Sequence, residues 1–268
     1  MQNRTLGTDL SVSAVGLGCM GFSHGYGLPT EAGETVKLLR RSVEGSLRRL
    51  GTDHIDLYFQ HRIDPAVAPE EVAEGMADLI REGKITHWGI SEANEDYLRR
   101  AHKVCPVTAV QNRYSMMARQ YESLFPTLEE LGIGFAAFSP MANGFLTGQY
   151  GKGTAFAPRY DYRASMPQFT DRAVDQNQAL LTLLTTLAQE KGATPAQISL
   201  AWMLGKKPWI VPIPGTRKEA RMAENAGAAQ VALTPQEVAA LDQALDAMSM
   251  SPVFGGTDLS AHAKEGDQ

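Results

Sequence analysis

A chain of 268 residues, 43% hydrophobic and 21% charged, is long enough for one large core and ordinary for a soluble globular protein. Its net charge of -5, with no block of like charge, argues against nucleic acid as a main partner. Cys19 and Cys105 stand alone, which excludes a disulfide framework or a cysteine zinc site, and no other metal site is expected. The first residues lack an apolar signal core and no apolar run reaches membrane length, so the expected location is the cytoplasm, without membrane partners.

In chain order, Arg4 to Leu6 and Leu10 to Val12 flank Gly7-Thr8-Asp9 as a small hairpin. Ala14 to Gly18 reads as a short strand and Thr30 to Leu50 as a helix. Strand Ile55 to Gln60, helix Glu70 to Glu82, strand His87 to Ser91 and helix Glu95 to Val104 come next. Strand Ala109 to Asn112, helix Tyr121 to Leu131 and strand Gly134 to Phe138 precede an irregular stretch from Met141 to about Asp171. Helices Val174 to Lys191 and Pro195 to Leu204, a last strand Trp209 to Pro212, and helices from Arg217 and Pro235 complete the pattern. This alternation predicts an α/β fold with a parallel sheet, as a barrel or a doubly wound sheet in one domain, residues 1–268.

Polar residues gather where these strands end: His61, Ser91-Glu92, Gln111-Asn112 and Ser139. Barrel enzymes keep their chemistry at that rim, and histidine titrates nearest neutral pH. A core histidine bonded to a carbonyl is the plain alternative for His61, and strand ends are often polar because loops begin there.

A second signal is Ile213-Pro214-Gly215-Thr216-Arg217-Lys218, between the last strand and a helix. Gly215 admits close approach, and the first-turn amides form an anion site. Arg217, Arg221 and Asn225 are spaced by four, which predicts one helical face above Gly215 and Thr216. Two guanidiniums there suit a phosphate dianion, and Glu224 and Asn225 could bind an adenine amino group. A Thr cap with solvated arginines is the alternative. By contrast, Gly16-Leu17-Gly18-Cys19-Met20-Gly21 matches G-x-G-x-x-G without the helix that a dinucleotide loop requires, and reads as a tight turn.

The ordered motifs Asp56-Leu57-Tyr58-Phe59-Gln60-His61-Arg62, Gly83-Lys84-Ile85, Gly89-Ile90-Ser91-Glu92, Phe138-Ser139-Pro140 and Ile213 to Arg217 resemble those of the aldo-keto reductases over nearly the whole chain. The resemblance implies a (β/α)8 TIM-barrel-type fold, here shortened to about six parallel strands with an N-terminal β-hairpin. It implies NADP(H) bound across the carboxyl rim and reduction of aldehydes or ketones to alcohols. By position, Ser91 and Gln111 would hold the carboxamide and Phe138 would stack on the nicotinamide. Ser139, Pro140, Met141, Gly144 and Leu146 would line the pyrophosphate, with Arg163 in the loop above it. Gly215, Thr216, Arg217, Arg221, Glu224 and Asn225 would hold the 2'-phosphate end. The family often has Asn where this chain has Glu92. His61 would be the tetrad histidine.

The family's tetrad aspartate, tyrosine and lysine have no counterpart between Gly18 and Ile55. About two βα units, on the order of 60 residues of a typical barrel, are absent at a seam near residues 40–42. Val36, Leu39, Val43, Leu47 and Leu50 keep helical phase across it, so one helix capped by Thr30 is expected. The shortened sheet either closes more tightly or leaves strand edges open to self-association. A positioned acid contributes ~10²–10⁴ in rate, so catalysis is expected to be weak, with Tyr26 a remote substitute and Tyr58 on the wrong strand face. A non-catalytic NADP(H)-binding or structural barrel remnant is the alternative.

Overall fold

The computed structural model describes residues 2–18, 35–157 and 161–253. Its centre is a parallel sheet of five strands in sequential order: β3 (Ile55–Gln60), β4 (Ile85–Ser91), β5 (Ala109–Arg113), β6 (Gly134–Phe138) and β7 (Ile210–Pro212). The antiparallel hairpin β1 (Asn3–Leu6) and β2 (Leu10–Ser13) stands before it. Helices α1 (Thr35–Leu50), α2 (Pro69–Arg81), α3 (Glu95–Val104), α4 (Phe125–Leu131), α5 (Asp171–Gln176), α6 (Gln178–Lys191), α7 (Pro195–Lys206), α8 (Glu219–Gly227) and α9 (Pro235–Ala247) complete the described elements.

Strand alternation sorts the two faces. Trp88, Ile90, Val110, Phe135, Ala137 and Ile210 are buried in one large cluster with Met76, Leu98, Leu128, Leu184 and Trp202 of the helices. The opposite face holds a small cluster, Leu6, Ala109 and Val211, flanked by Leu10, Val12, Leu57 and Phe59. The hairpin therefore plugs the amino end of that inner face. Arg4 pins it by donating to the carbonyls of Leu204 (2.5 Å), Lys207 (2.6 Å) and Ile210 (3.0 Å), the first at the carboxyl end of α7. Such a charged donor satisfies orphan helix carbonyls.

Five strands form the ladder, and Ala14 to Gly18 adds only a single parallel bridge, Gly18 to Gly215. Gly16 donates to the Pro212 carbonyl at 2.9 Å and Gly18 to that of Pro214 at 3.1 Å. A segment this short, with two glycines, holds its place by packing rather than by a ladder. A Cβ on Gly18 would lie 2.6 Å from the Ile213 carbonyl oxygen, so only glycine fits there. Gly16 and Gly18 thus serve backbone packing against residues 212–215, while Cys19 to Gly21 of the expected tight turn lie outside the described residues. Among the described residues, β3 pairs on one side only, with β4.

Helix α1 runs unbroken across residues 40–42. Val43 is fully buried, Leu39 and Leu47 pack on the core, and Arg40 pairs with Asp78 and Glu82 around α2. Leu50, expected on this stripe, is 64% exposed because the helix ends there: Gly51 closes it onto the Leu47 carbonyl at 2.9 Å. Thr30, the expected cap, and Tyr26 lie outside the described residues.

Three expected helices differ. The Tyr121 to Leu131 segment is a 3-10 turn (Gln120–Leu124) followed by α4, because Pro126 opens a new helix rather than continuing one. The Val174 to Lys191 segment divides into α5 and α6 at Asn177, whose buried amide exchanges bonds with Ser251 at 2.7 and 3.0 Å. Finally, α8 starts at Glu219 rather than Arg217: Thr216 Oγ1 accepts from the Lys218 amide at 3.1 Å and turns the chain first.

Candidate active site

The sheet order places the polar strand ends side by side. Ser91 is in register with Gln111, and Arg113 with Phe138; the pairing of Gln60 with Ile90 carries His61 toward Ser91. Residues in register share a face, and these belong to the inner face with Leu57, Phe59 and Ala109. Tyr58 points the other way and donates to Ser42 of α1 at 2.9 Å, as alternation requires.

His61 is exposed at the end of the edge strand. Partial desolvation of its ring, then the Arg62 charge, lower its pKa below the ordinary histidine value, while Glu92 opposes them. The charged groups that shift this ring are thus an arginine and a glutamate.

Arg62 organises the neighbourhood. Its Nη1 donates to the His61 carbonyl at 2.7 Å and to Ser91 Oγ at 3.1 Å, and its Nε lies 3.5 Å from the Glu92 carboxylate. Ser91 Oγ in turn donates to the Gln111 carbonyl at 2.9 Å. Its proton is therefore committed to the chain itself. The Glu92 amide donates to Asn112 Oδ1 at 2.8 Å with φ at 55°. That left-handed conformation suits Asn better than Glu, a physical reason for Asn at this place in the family. Ser139, one residue past β6, is also left-handed at φ 50°. Left-handed residues just past β4 and β6, on either side of β5, follow the pattern of functional rims.

Phe138 is half-buried, and the Arg113 guanidinium carbon lies 5.3 Å from its ring centre. The ring's neighbour is thus a cation from its own sheet. Farther along, Pro140 is buried and Met141 half-buried, and Gly144 has φ 98°. Leu146 is fully buried in the core, and its amide donates to the Met141 carbonyl at 3.2 Å. Arg163 holds its own loop: it pairs with Asp161 through Nε at 2.9 Å, donates to the Tyr150 hydroxyl at 2.8 Å, and lies 4.9 and 4.7 Å from the Tyr150 and Phe156 ring centres. That pairing pushes the Asp161 carboxyl below its usual range.

At the other end of the rim, α8 has no side-chain cap on its first amides. Arg217 precedes the helix instead of standing on its face, which corrects the expected three-residue stripe. Arg221, in the first turn, donates to Gln149 Oε1 at 2.5 Å. Asn225 is buried, and the Glu224 carbonyl accepts from Gln197 at 3.0 Å. Helix amides without a side-chain cap, with Arg221 in the same turn, are chemically suited to an anion. Gln149, Arg62 and Arg113 were missed as site residues. Alternation could have found Arg113, two residues past Gln111; Gln149 carries no local signal.

Among the described residues, no cluster of His, Cys, Asp and Glu could hold a metal, and no helix is long and apolar enough to cross a membrane. The chain is 41% identical over 200 residues to the aldo-keto reductase str7 of Strobilurus tenacellus; the match covers 73% of this chain and 59% of that protein's length. It resembles the solved glycerol dehydrogenase of Gluconobacter oxydans with a TM-score of 0.76 at 24% identity, over 87% of this chain and 72% of that one. It also resembles an aldo/keto reductase from Klebsiella pneumoniae, crystallised with NADP and acetate, with a TM-score of 0.58 at 27% identity over 76% and 64% of the two chains. The sheet is therefore the parallel array of a TIM-barrel-type fold with an added N-terminal hairpin. The family model for aldo/keto reductases matches residues 28–246, and the chain belongs to that oxidoreductase family.

Proposed function

We propose that this chain binds NADP(H) through the adenosine-phosphate end of its rim and reduces aldehydes or ketones only weakly. The carrying observation is the uncapped start of α8 beside Arg217 and Arg221, in the connection after the last strand. Phosphates bind at this place in barrels. Gly215, Thr216, Arg217, Arg221, Glu224 and Asn225 would hold the 2'-phosphate and adenosine, with Ser139, Met141 and Gly144 toward the pyrophosphate. Bound there, the cofactor would supply hydride.

The nicotinamide end fits less well. Ser91 donates its hydroxyl hydrogen bond to the Gln111 carbonyl, and Arg113 covers a face of Phe138. Arg113 must leave that ring before another group can stack on it; a cation–π contact of this kind contributes about 0.5–2 kcal/mol. Carbonyl reduction also needs a proton for the new alkoxide. His61 titrates at the rim, and partial desolvation, then the Arg62 charge, push its pKa below the ordinary histidine value, which works against it as a proton donor. This combination supports the non-catalytic binder as the second reading.

Titrating NADPH against tryptophan fluorescence tests the first claim, and NADPH absorbance with an aldehyde panel tests the second. Absence of binding sinks the first; turnover matching full-length family members sinks the second. We further infer that residues 1–268 work as one cytoplasmic barrel-derived domain whose seam lies within α1. The β3 edge, which has no strand partner among the described residues, is inferred to pair with a second copy; a monomer at every concentration in sedimentation would overturn this.

A further inference from the structure

Arg62, Arg99, Arg119 and Arg163 are each held by a carboxylate. Arg221 differs. Among the described residues it pairs with no carboxylate, and its Nη2 donates to a neutral acceptor, Gln149 Oε1, at 2.5 Å. A carboxamide fixes a guanidinium without cancelling its charge, and leaves the other N–H groups to an anion.

Gln149 is itself anchored on both sides. It follows the 3-10 segment Ala142–Thr147, whose Phe145 and Leu146 are fully buried. Its amide donates to Thr147 Oγ1 at 3.3 Å, and that hydroxyl donates to the Gly144 carbonyl at 2.6 Å. On its other side, the Tyr150 ring packs 5.4 and 5.6 Å from those of Phe156 and Phe169. A line of hydrogen bonds thus runs from Gly144, on the proposed pyrophosphate side, to Arg221 in the first turn of α8.

We propose that Gln149 is a specificity-determining residue: it holds Arg221 as a fully charged fork ready for phosphate, and thereby sets a preference for NADP(H) over NAD(H). This rests on the cofactor reading given under the proposed function. A 2'-phosphate meets a guanidinium whose ordering cost is already met, whereas a 2'-hydroxyl gains little from it. An acid in place of Gln149 would do the reverse. It would cancel the guanidinium, repel the phosphate and accept from a 2'-hydroxyl, as acids do in NAD sites.

The test titrates NADPH and NADH against tryptophan fluorescence of the full chain. The wild type is expected to prefer NADPH by about tenfold or more, the effect of one charge-assisted hydrogen bond. Gln149→Glu, an isosteric change at an exposed position, should weaken NADPH by about tenfold or more and leave NADH unchanged or tighter. Gln149→Ala should weaken NADPH about 2- to 10-fold, as the guanidinium regains its rotamers, and leave NADH alone. A wild type without preference, or a ratio of the two affinities that neither variant moves, would overturn the proposal. Binding of neither dinucleotide by the wild type would count against the cofactor reading. Inorganic phosphate, titrated by calorimetry, then decides the role of Gln149: it should bind the wild type and not Gln149→Glu, and equal behaviour of the two sinks that role.

Discussion

Gly18→Ala separates the two readings of the glycine motif. The new Cβ would lie 2.6 Å from the Ile213 carbonyl oxygen, 3.1 Å from the Gly215 nitrogen and 3.3 Å from its Cα. All three are backbone atoms, so no side-chain rotation relieves the clash. The strands must separate by several tenths of an ångström, at an overpacking cost of about 1–3 kcal/mol. The Gly18 bond to Pro214, 3.1 Å long, would stretch and forfeit about 0.5–1.5 kcal/mol more. For a chain of this size each kcal/mol lowers Tm by roughly 2–4 °C, which gives a fall of about 3–18 °C. Circular dichroism melts measure it, with the exposed Leu17→Ala as a neutral control. The displaced segment also leads into α8, so NADPH affinity should fall with stability. An unchanged Tm with lost NADPH binding would refute the packing account and restore a phosphate role for the motif.

Arg221→Gln should weaken NADPH by about 10- to 100-fold and NADH by little, because the guanidinium is assigned to the 2'-phosphate; equal losses for both dinucleotides would contradict that role. Glu92→Asn should stabilise the fold by about 0.5–1 kcal/mol, since relief of a left-handed Glu outweighs an exposed ion pair with Arg62; a lower Tm would count against it. His61 has a folded pKa below its unfolded value, so the unfolded chain binds the proton more readily. Its contribution is therefore present above the unfolded pKa and lost as pH falls below about 6.5. His61→Gln should flatten the stability profile between about pH 5 and 7, and an unaltered slope in denaturant titrations would refute the assignment.

The strand and helix alternation was legible because apolar periodicity and turn residues are local: β3, α3 and β6 have the expected bounds. The misread boundaries are also local in cause, but they involve a competing interaction. Pro126 restarts a helix, and the distant Ser251 claims Asn177. The rim was legible as polar strand ends, since barrels expose those positions. Its internal wiring was not, because hydrogen bonds from Arg62 to Ser91 and the approach of Arg113 to Phe138 depend on which strands lie side by side.

The sequence by itself determined the family motifs, the alternation that makes the sheet parallel, and the helical phase through residues 40–42, all of which follow from residue type and spacing. Only the tertiary structure decided that the start of α8 lies past Arg217, that Leu146 belongs to the core, and that the rim's polar groups already bind one another. Those facts depend on side chains brought together across long separations, and the competition between such partners cannot be read from spacing along one chain.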